Sequence, residues 1–420
     1  MPAPGRPAFG RARRRRGVAP RFLILAAVIF VAAVAWVAAQ LLRPVPAMAL
    51  AASATTVHVL PGVPPHPAWP TQGQAAVGLP GVGLLGTHGG SQPQPIASLA
   101  KIMTAYVVLR DHPLPPGASG PALTVTPADV AAYGRDQQQG QSVVTVAAGE
   151  TLTERQALEA MLIPSGNNVA DMLASWDAGS EQAFVAKMNG LAGSLGLRGT
   201  RYTSASGADA ATVSTAGDQY RLTVRALQIP VLREIVAMPQ ATLPVAGVTR
   251  NVNPSLGHDG IVGVKTGTST ESGGCLAFSA VRMVAGREET IVGVVLGVRP
   301  TPAQPNALGG VVAASETLLS SVSGGLEQFR IVKPGAVLGS VSSAWAAGPG
   351  AVAASGVSVT AWPGTPVRVT VTPVPLGGAV RRGQPVAQAT VTAGSSVSHL
   401  TLTASQSAGP PPVRWLLTRW

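Results

Sequence analysis

Ile96-Ala-Ser98-Leu-Ala-Lys101-Ile-Met-Thr-Ala105 is the stretch that decides how this chain folds. Its apolar residues continue at helical spacing through Tyr106 and Leu109. Ala105, Val107 and Val108 extend the apolar surface nearly all round, which predicts a buried helix over Ser98–Arg110. Ser98 begins that helix and Lys101 follows one turn later, so both side chains point the same way, their Cβ atoms about 5–6 Å apart. A serine hydroxyl attacks an acyl carbon only when a base removes its proton. A lysine is such a base only where burial or a second cation lowers its pKa. Alone, Ser-x-x-Lys describes a helix N-cap serine and a surface lysine just as well.

Two further strings change that weighting. Ser165-Gly-Asn167 and Lys265-Thr266-Gly267-Thr268 follow in order. No other lysine has a serine three residues before it, and no other asparagine has a serine two before it. Ser165 supplies a hydroxyl able to pass a proton to a leaving amine, and Asn167 a carboxamide for the substrate's acyl side. Lys265, with Thr266 and Thr268, offers an ammonium and two hydroxyls to a substrate carboxylate, and Gly267 lets the backbone approach closely. The chain has 4 Lys against 26 Arg, and two of the four lie in these strings. A composition so biased keeps lysine where a compact or deprotonatable amine is required. Each string has an ordinary reading as a helix start or a strand–turn. Together they point to acyl transfer at a serine without histidine. His258-Asp259, beside the third string, reads as a loop pair and not part of a triad. No spacing suggests a metal site, and no cofactor is expected.

The net charge of +12 divides unevenly along the 420 residues. Residues 1–43 carry eight Arg and no acid, residues 44–327 fifteen basic and eighteen acidic groups, and residues 328–420 seven basic groups and no acid. That distribution suits a membrane arm and contact with anionic polymers, not nucleic acid. Phe22–Leu42 has no charge and one polar side chain, Gln40. As a helix it spans about 31 Å, enough to cross a bilayer, with the arginines at 1–21 inside and the rest of the chain outside. A cleaved signal ending at Ala47-Met48-Ala49 is the competing reading. The run is long for a signal, which favours a retained anchor. Either way the body lies outside the cytoplasmic membrane. The single cysteine, Cys275, excludes an intrachain disulfide and reads as an apolar filler in a buried strand.

Residues 43–72 are rich in Pro and Ala and read as a spacer. From 73 to 329 a hairpin around Pro80-Gly81, a helical middle and three late strands (Ile261–Val264, Cys275–Val281, Thr290–Val298) precede a closing helix, Ala307–Phe329. Strands from both ends of the segment imply a mixed sheet with a helical lobe, an α/β (α+β) body. Residues 330–406, rich in Val, Thr and Ser, predict a small all-β domain. The tail 407–420 is Pro-rich and carries Trp415 and Trp420, suited to a surface contact. No internal repeat is present.

Over residues 72–335 the chain resembles the serine-type D-alanyl-D-alanine carboxypeptidases, low-molecular-mass penicillin-binding proteins of peptidoglycan metabolism. The likeness rests on the three strings and on Phe184-Val-Ala-Lys-Met-Asn189, Thr203-Ser-Ala-Ser-Gly207 and Asp259-Gly-Ile-Val-Gly-Val-Lys-Thr-Gly267. It implies a β-lactamase/transpeptidase-like catalytic domain with an antiparallel sheet. It also implies Ser98 as nucleophile, Lys101 as base, Ser165 as proton relay, Asn167 as substrate contact and Lys265 with Thr266 as carboxylate binders. The N–H groups of Ser98 and Thr268 are implied as oxyanion hole, and Arg250 as a further carboxylate contact. Peptidoglycan stem peptides are the implied substrates and β-lactams the implied covalent inhibitors. Ala100 replaces a common Thr, Asn168 replaces a common Asp, and the anchor is N-terminal where many relatives anchor at the C-terminus. A β-lactamase on the same scaffold and a non-catalytic wall-binding protein are the alternatives.

Overall fold

The computed structural model describes residue 1, residues 19–51 and residues 55–419. Most of the arginine-rich arm, including Arg11–Arg16, and Trp420 lie outside the described residues. A long apolar helix, Ala19–Leu42, leads into the body.

The central sheet has five strands in the order Ile261–Ser269, Gly273–Val284, Arg287–Val298, Gln74–Leu79, Gly83–His88, and every neighbouring pair is antiparallel. Strands from the two ends of the segment close it, as expected, although no parallel pair occurs. Alternate residues serve opposite faces. Cys275 and Ala277 pack into the helical lobe with Leu99, Met103 and Val108. Leu276, Phe278 and Ala280 pack on the other side against Val311, Leu318 and Val322 of the helix Ala307–Ser323. Cover on both faces explains why these strands are apolar without alternation.

That closing helix stops at Ser323, not at Phe329 as the sequence pattern suggested. Gly324-Gly325 ends it, and Glu327–Val332 forms a strand paired with Val357–Ala361.

The spacer expectation for 43–72 also needs correction. Ala49–Leu50 and Thr55–Val59 form the two edge strands of a seven-stranded sheet whose other members come from residues 337–404. Met48 and Leu60 enter its core. The Thr- and Val-rich stretch 55–59 suits a pleated edge.

The β unit is fastened to the catalytic sheet. Trp362, 1 % exposed, is buried among residues of the sheet and the closing helix, and its indole N–H donates to Val322 O at 2.8 Å. The backbone N–H groups of Ser395 and Ser396 both donate to Gly81 O in the turn of the first hairpin.

Candidate active site

The nucleophile segment enters as a short 3-10 turn, Ala97–Leu99, which runs directly into the helix Ala100–Asp111. Ala97 adopts a left-handed φ of 45°. Ser98 is partly exposed, whereas Lys101 is fully buried, so the hydroxyl meets solvent and the amine does not. Lys101 Nζ lies 2.8 Å from Ser98 Oγ, 2.5 Å from Asn167 Oδ1 and 3.0 Å from Ser206 O. Burial first, and then the positive charge of Lys265, hold the Lys101 amine well below the ordinary lysine range; Asp171 opposes them. Along the same 2.8 Å line a neutral amine accepts the serine proton.

Asn167 begins the helix Asn167–Ala178, after a turn that bonds Gly166 N–H to Ala160 O and Asn167 N–H to Ser142 O. Ser165 occupies that turn, buried, with a left-handed φ of 68°. Among the described residues no hydrogen bond joins its hydroxyl to Ser98 or Lys101. Asn167 Nδ2 donates to Gln141 Oε1 at 2.7 Å, which fixes its amide so that Oδ1 faces the lysine.

Lys265, Thr266, Gly267 and Thr268 lie within the strand Ile261–Ser269, and not at its end. The strand is the free edge of the sheet, and Gly267 packs against the backbone of Ile96 and Ser98. Lys265 is 1 % exposed and donates to Thr266 O at 3.0 Å; burial pushes its amine down to about 7. Thr266 is buried and Thr268 exposed.

Arg250 is exposed at the end of the strand Gly247–Arg250, opposite Gln240. Nearby, Val252 N–H donates to Ile163 O, two residues before Ser165, so this hairpin borders the site without bonding to its lysines. His258 and Asp259 are exposed in the turn before the third motif, away from Ser98. Cys275 is a buried strand residue beside Gly267, and burial pushes its thiol up to about 11.

Residues around the three strings also act on the site, and of these Arg299 and Gln141 carry no sequence signal. The Ser204–Gly207 loop clamps the nucleophile helix: Ser206 O takes the lysine bond, and Thr104 Oγ1 donates to Ala205 O at 2.6 Å. Gly207, at φ +78°, lies so close to Ala97 that a Cβ would sit 2.0 Å from its carbonyl oxygen. Asn189 holds this loop's approach, accepting from Tyr202 N–H and donating to Tyr202 O. Arg299 donates to the carbonyls of Thr270 and Glu271 and so braces the turn after the third motif. Asn168 accounts for its own departure from Asp: its amide pairs with both backbone groups of Val144.

A serine beside a buried lysine, a facing carboxamide and a lysine-bearing edge strand define the serine acyl-transfer class built on the β-lactamase/transpeptidase fold. The family model for D-alanyl-D-alanine carboxypeptidase matches residues 84–299, about half of the chain, and the chain belongs to that family. A D-alanyl-D-alanine endopeptidase of Pseudomonas aeruginosa is 34 % identical over 192 residues, 44 % of this chain and 58 % of that protein. A D-alanyl-D-alanine carboxypeptidase of Streptomyces strain K15 is 32 % identical over 224 residues, covering 49 % and 74 %. The chain thus spans between about half and three quarters of the length of the curated relatives it matches. The crystal structure of the Streptomyces K15 DD-transpeptidase superposes with a TM-score of 0.51 at 26 % identity, over 61 % of this chain and 98 % of that one. Penicillin binding protein 5 from Haemophilus influenzae shares the fold over 83 % of this chain and 100 % of its own, with a TM-score of 0.58 at 20 % identity.

Proposed function

We propose that this protein is a serine D-alanyl-D-alanine carboxypeptidase that removes the terminal D-alanine from peptidoglycan stem pentapeptides and is acylated by β-lactams. The observation that carries this reading is the 2.8 Å contact between Ser98 Oγ and a dry Lys101 amine whose proton affinity Lys265 lowers further. Ser98 Oγ attacks the carbonyl carbon of the penultimate D-alanine while Lys101 Nζ takes the hydroxyl proton. The N–H groups of Ser98 and Thr268 receive the developing oxyanion. As the C–N bond breaks, the Ser165 hydroxyl relays a proton to the departing D-alanine nitrogen, leaving a Ser98 ester that water hydrolyses. Lys265, Thr266 and Arg250 hold the terminal carboxylate, Gly267 admits the substrate backbone, and Asn167 holds the acyl side.

A β-lactamase reading is disfavoured at Gly166, where such enzymes usually have Asp. A Cβ there would lie 2.9 Å from both Ala160 O and Val144 Cγ2. The non-catalytic reading leaves the buried lysine pair without a purpose.

The segment Arg21–Leu42 is apolar enough to cross a membrane, and none of its residues is buried in a core. We read it as a retained anchor, with the catalytic unit at 73–329 and the β unit at 330–406 on the outer side. The test is D-alanine release from a soluble pentapeptide, alongside labelled penicillin mapped after digestion. A stable adduct on the Ser98 peptide together with released D-alanine is expected. An adduct elsewhere, or rapid turnover of penicillin, overturns the reading. Because the Pseudomonas relative is an endopeptidase by name, a cross-linked dimer is the comparison substrate.

A further inference from the structure

The tail meets the end of the apolar helix Ala19–Leu42 at residues the acyl-transfer chemistry does not use. A short terminal helix, Val413–Thr418, packs against the anchor helix, and the residue after it, Arg419, reaches the end of that anchor. Arg419 Nη2 donates to Gln40 O and to Arg43 O, both at 2.6 Å, and Nη1 donates to Pro44 O at 3.1 Å. Gln40 Nε2 returns a longer bond to Arg419 O at 3.4 Å. The guanidinium lies 5.5 Å from the centroid of the Trp415 ring, and that ring meets Trp345 of the β unit at 5.4 Å.

The last carbonyls of a helix have no partner within it and carry the negative end of its dipole. A forked cation with several donors satisfies them in one step. A charged group holding backbone carbonyls cannot sit among acyl chains, so residues 40–44 mark the boundary between hydrocarbon and headgroups. Helix 413–418 is therefore held at that boundary. It presents an exposed Val413 and Arg414 and a half-buried Trp415, and no acid occurs anywhere in 328–420. Tryptophan favours the membrane interface and arginine favours lipid phosphate.

We propose that Arg419 latches the terminal helix onto the outer end of the anchor, and that the helix so held lies in the phosphate-bearing headgroup layer of the bilayer. This inference rests on the reading of the anchor helix as membrane-spanning. The latch ties the terminal helix, and through Trp345 the β unit, to the outer end of the apolar helix.

The test uses the full chain in vesicles of phosphatidylglycerol and phosphatidylcholine. A nitroxide is placed at Val413→Cys, since Cys275 is buried. Collision with lipid-soluble oxygen is compared with collision with a water-soluble nickel chelate. The expected result is a headgroup-depth ratio at position 413 that moves to the aqueous value in Arg419→Gln. Arg419→Lys, which keeps the charge without the fork, should fall between, and penicillin acylation and melting temperature should be unchanged in all of them. An aqueous value with Arg419 intact, in protein that resists alkaline extraction, overturns the headgroup seat alone. An unchanged depth in Arg419→Gln overturns the latch. Protein that washes off the vesicles at alkaline pH overturns the spanning reading and the inference with it.

Discussion

The main chain of Gly267 lies so close to that of Ser98 that a Cβ on the glycine would sit 3.0 Å from the Ser98 nitrogen and 3.0 Å from Ile96 O. Backbone atoms cannot swing aside as a side-chain tip can, so a methyl group here must push the edge strand away from the nucleophile turn. Gly267→Ala should lower the second-order rate of penicillin acylation, by less than the about hundred-fold that a misplacement of about 1 Å costs, because a shift of a few tenths of an ångström relieves the contact. The melting temperature should change little. Acylation within a factor of two of the native protein would show that the two elements are not held in register by this contact.

In the proposed mechanism the two buried amines have opposite tasks, and pH separates them. Lys101 must be neutral to accept a proton, so acylation should gain as its proton leaves. Lys265 must be charged to attract a carboxylate, and in the empty site its amine titrates at about 7 because of burial. The affinity for carboxylate-bearing substrates should therefore fall as pH rises through 7, while the acylation step itself does not. Lys265→Arg keeps its charge at any working pH. In that variant the alkaline limb of kcat/KM should move to higher pH, at some cost in its maximum. Superimposable alkaline limbs would assign the descent to another group.

Asn168 is 1 % exposed and holds Val144 twice, accepting from its N–H at 3.0 Å and donating to its carbonyl at 2.9 Å. A carboxylate can accept but not donate, so Asn168→Asp faces a buried carbonyl with a buried charge. The expected loss is about 2–3 kcal/mol of stability, measured by denaturant unfolding. Because Val144 follows the Gln141–Ser142 segment that orients Asn167, acylation should fall as well. A variant as stable as the native protein would mean that the amide orientation at 168 is unimportant.

A chain ending near Gln328 would lose Trp362, which fills the space between the closing helix and the sheet and bonds to Val322 O. Removing a buried tryptophan from a core costs about 3–5 kcal/mol. The expected result is that the shortened protein aggregates or melts well below the full chain, and that its catalytic unit is not independently stable. Full activity on a soluble pentapeptide with an unshifted melt would show the β unit to be dispensable, as the motif distribution alone suggests.

The features that could be read from sequence were local ones. One helical turn between Ser98 and Lys101 fixes their common face, Pro80-Gly81 fixes a hairpin, and Thr153 with Gln156 forms the capping box present in the structure. A second capping box, Thr126 with Asp129 and Pro127 between them, heads the helix Pro127–Gln138 and carries the same signal. What escaped depended on distant partners. Gln141 is chemically anonymous until the fold brings it to Asn167. The stretch Thr55–Val59 is too short to announce a strand whose partner is Pro366–Pro373. Helical periodicity past Ser323 misled because Leu326 and Phe329 continue it by coincidence on the far side of two glycines.

The placing of Ala49–Leu50 and Thr55–Val59 on opposite edges of one sheet bears on how the molecule comes into being. Thr55 meets Thr370 across 315 residues of chain, and Ala49 meets Ser342 across 293. Synthesis delivers the early strands first, while the strands they must flank are made only after the whole catalytic segment. Until then the early strands have no template, and such remote pairings form slowly because the loop must close first. Maturation of this protein therefore cannot proceed unit by unit from the N-terminus. The later strands complete the assembly that the early ones began, so a molecule cut short before residue 337 is left with both early strands unpaired.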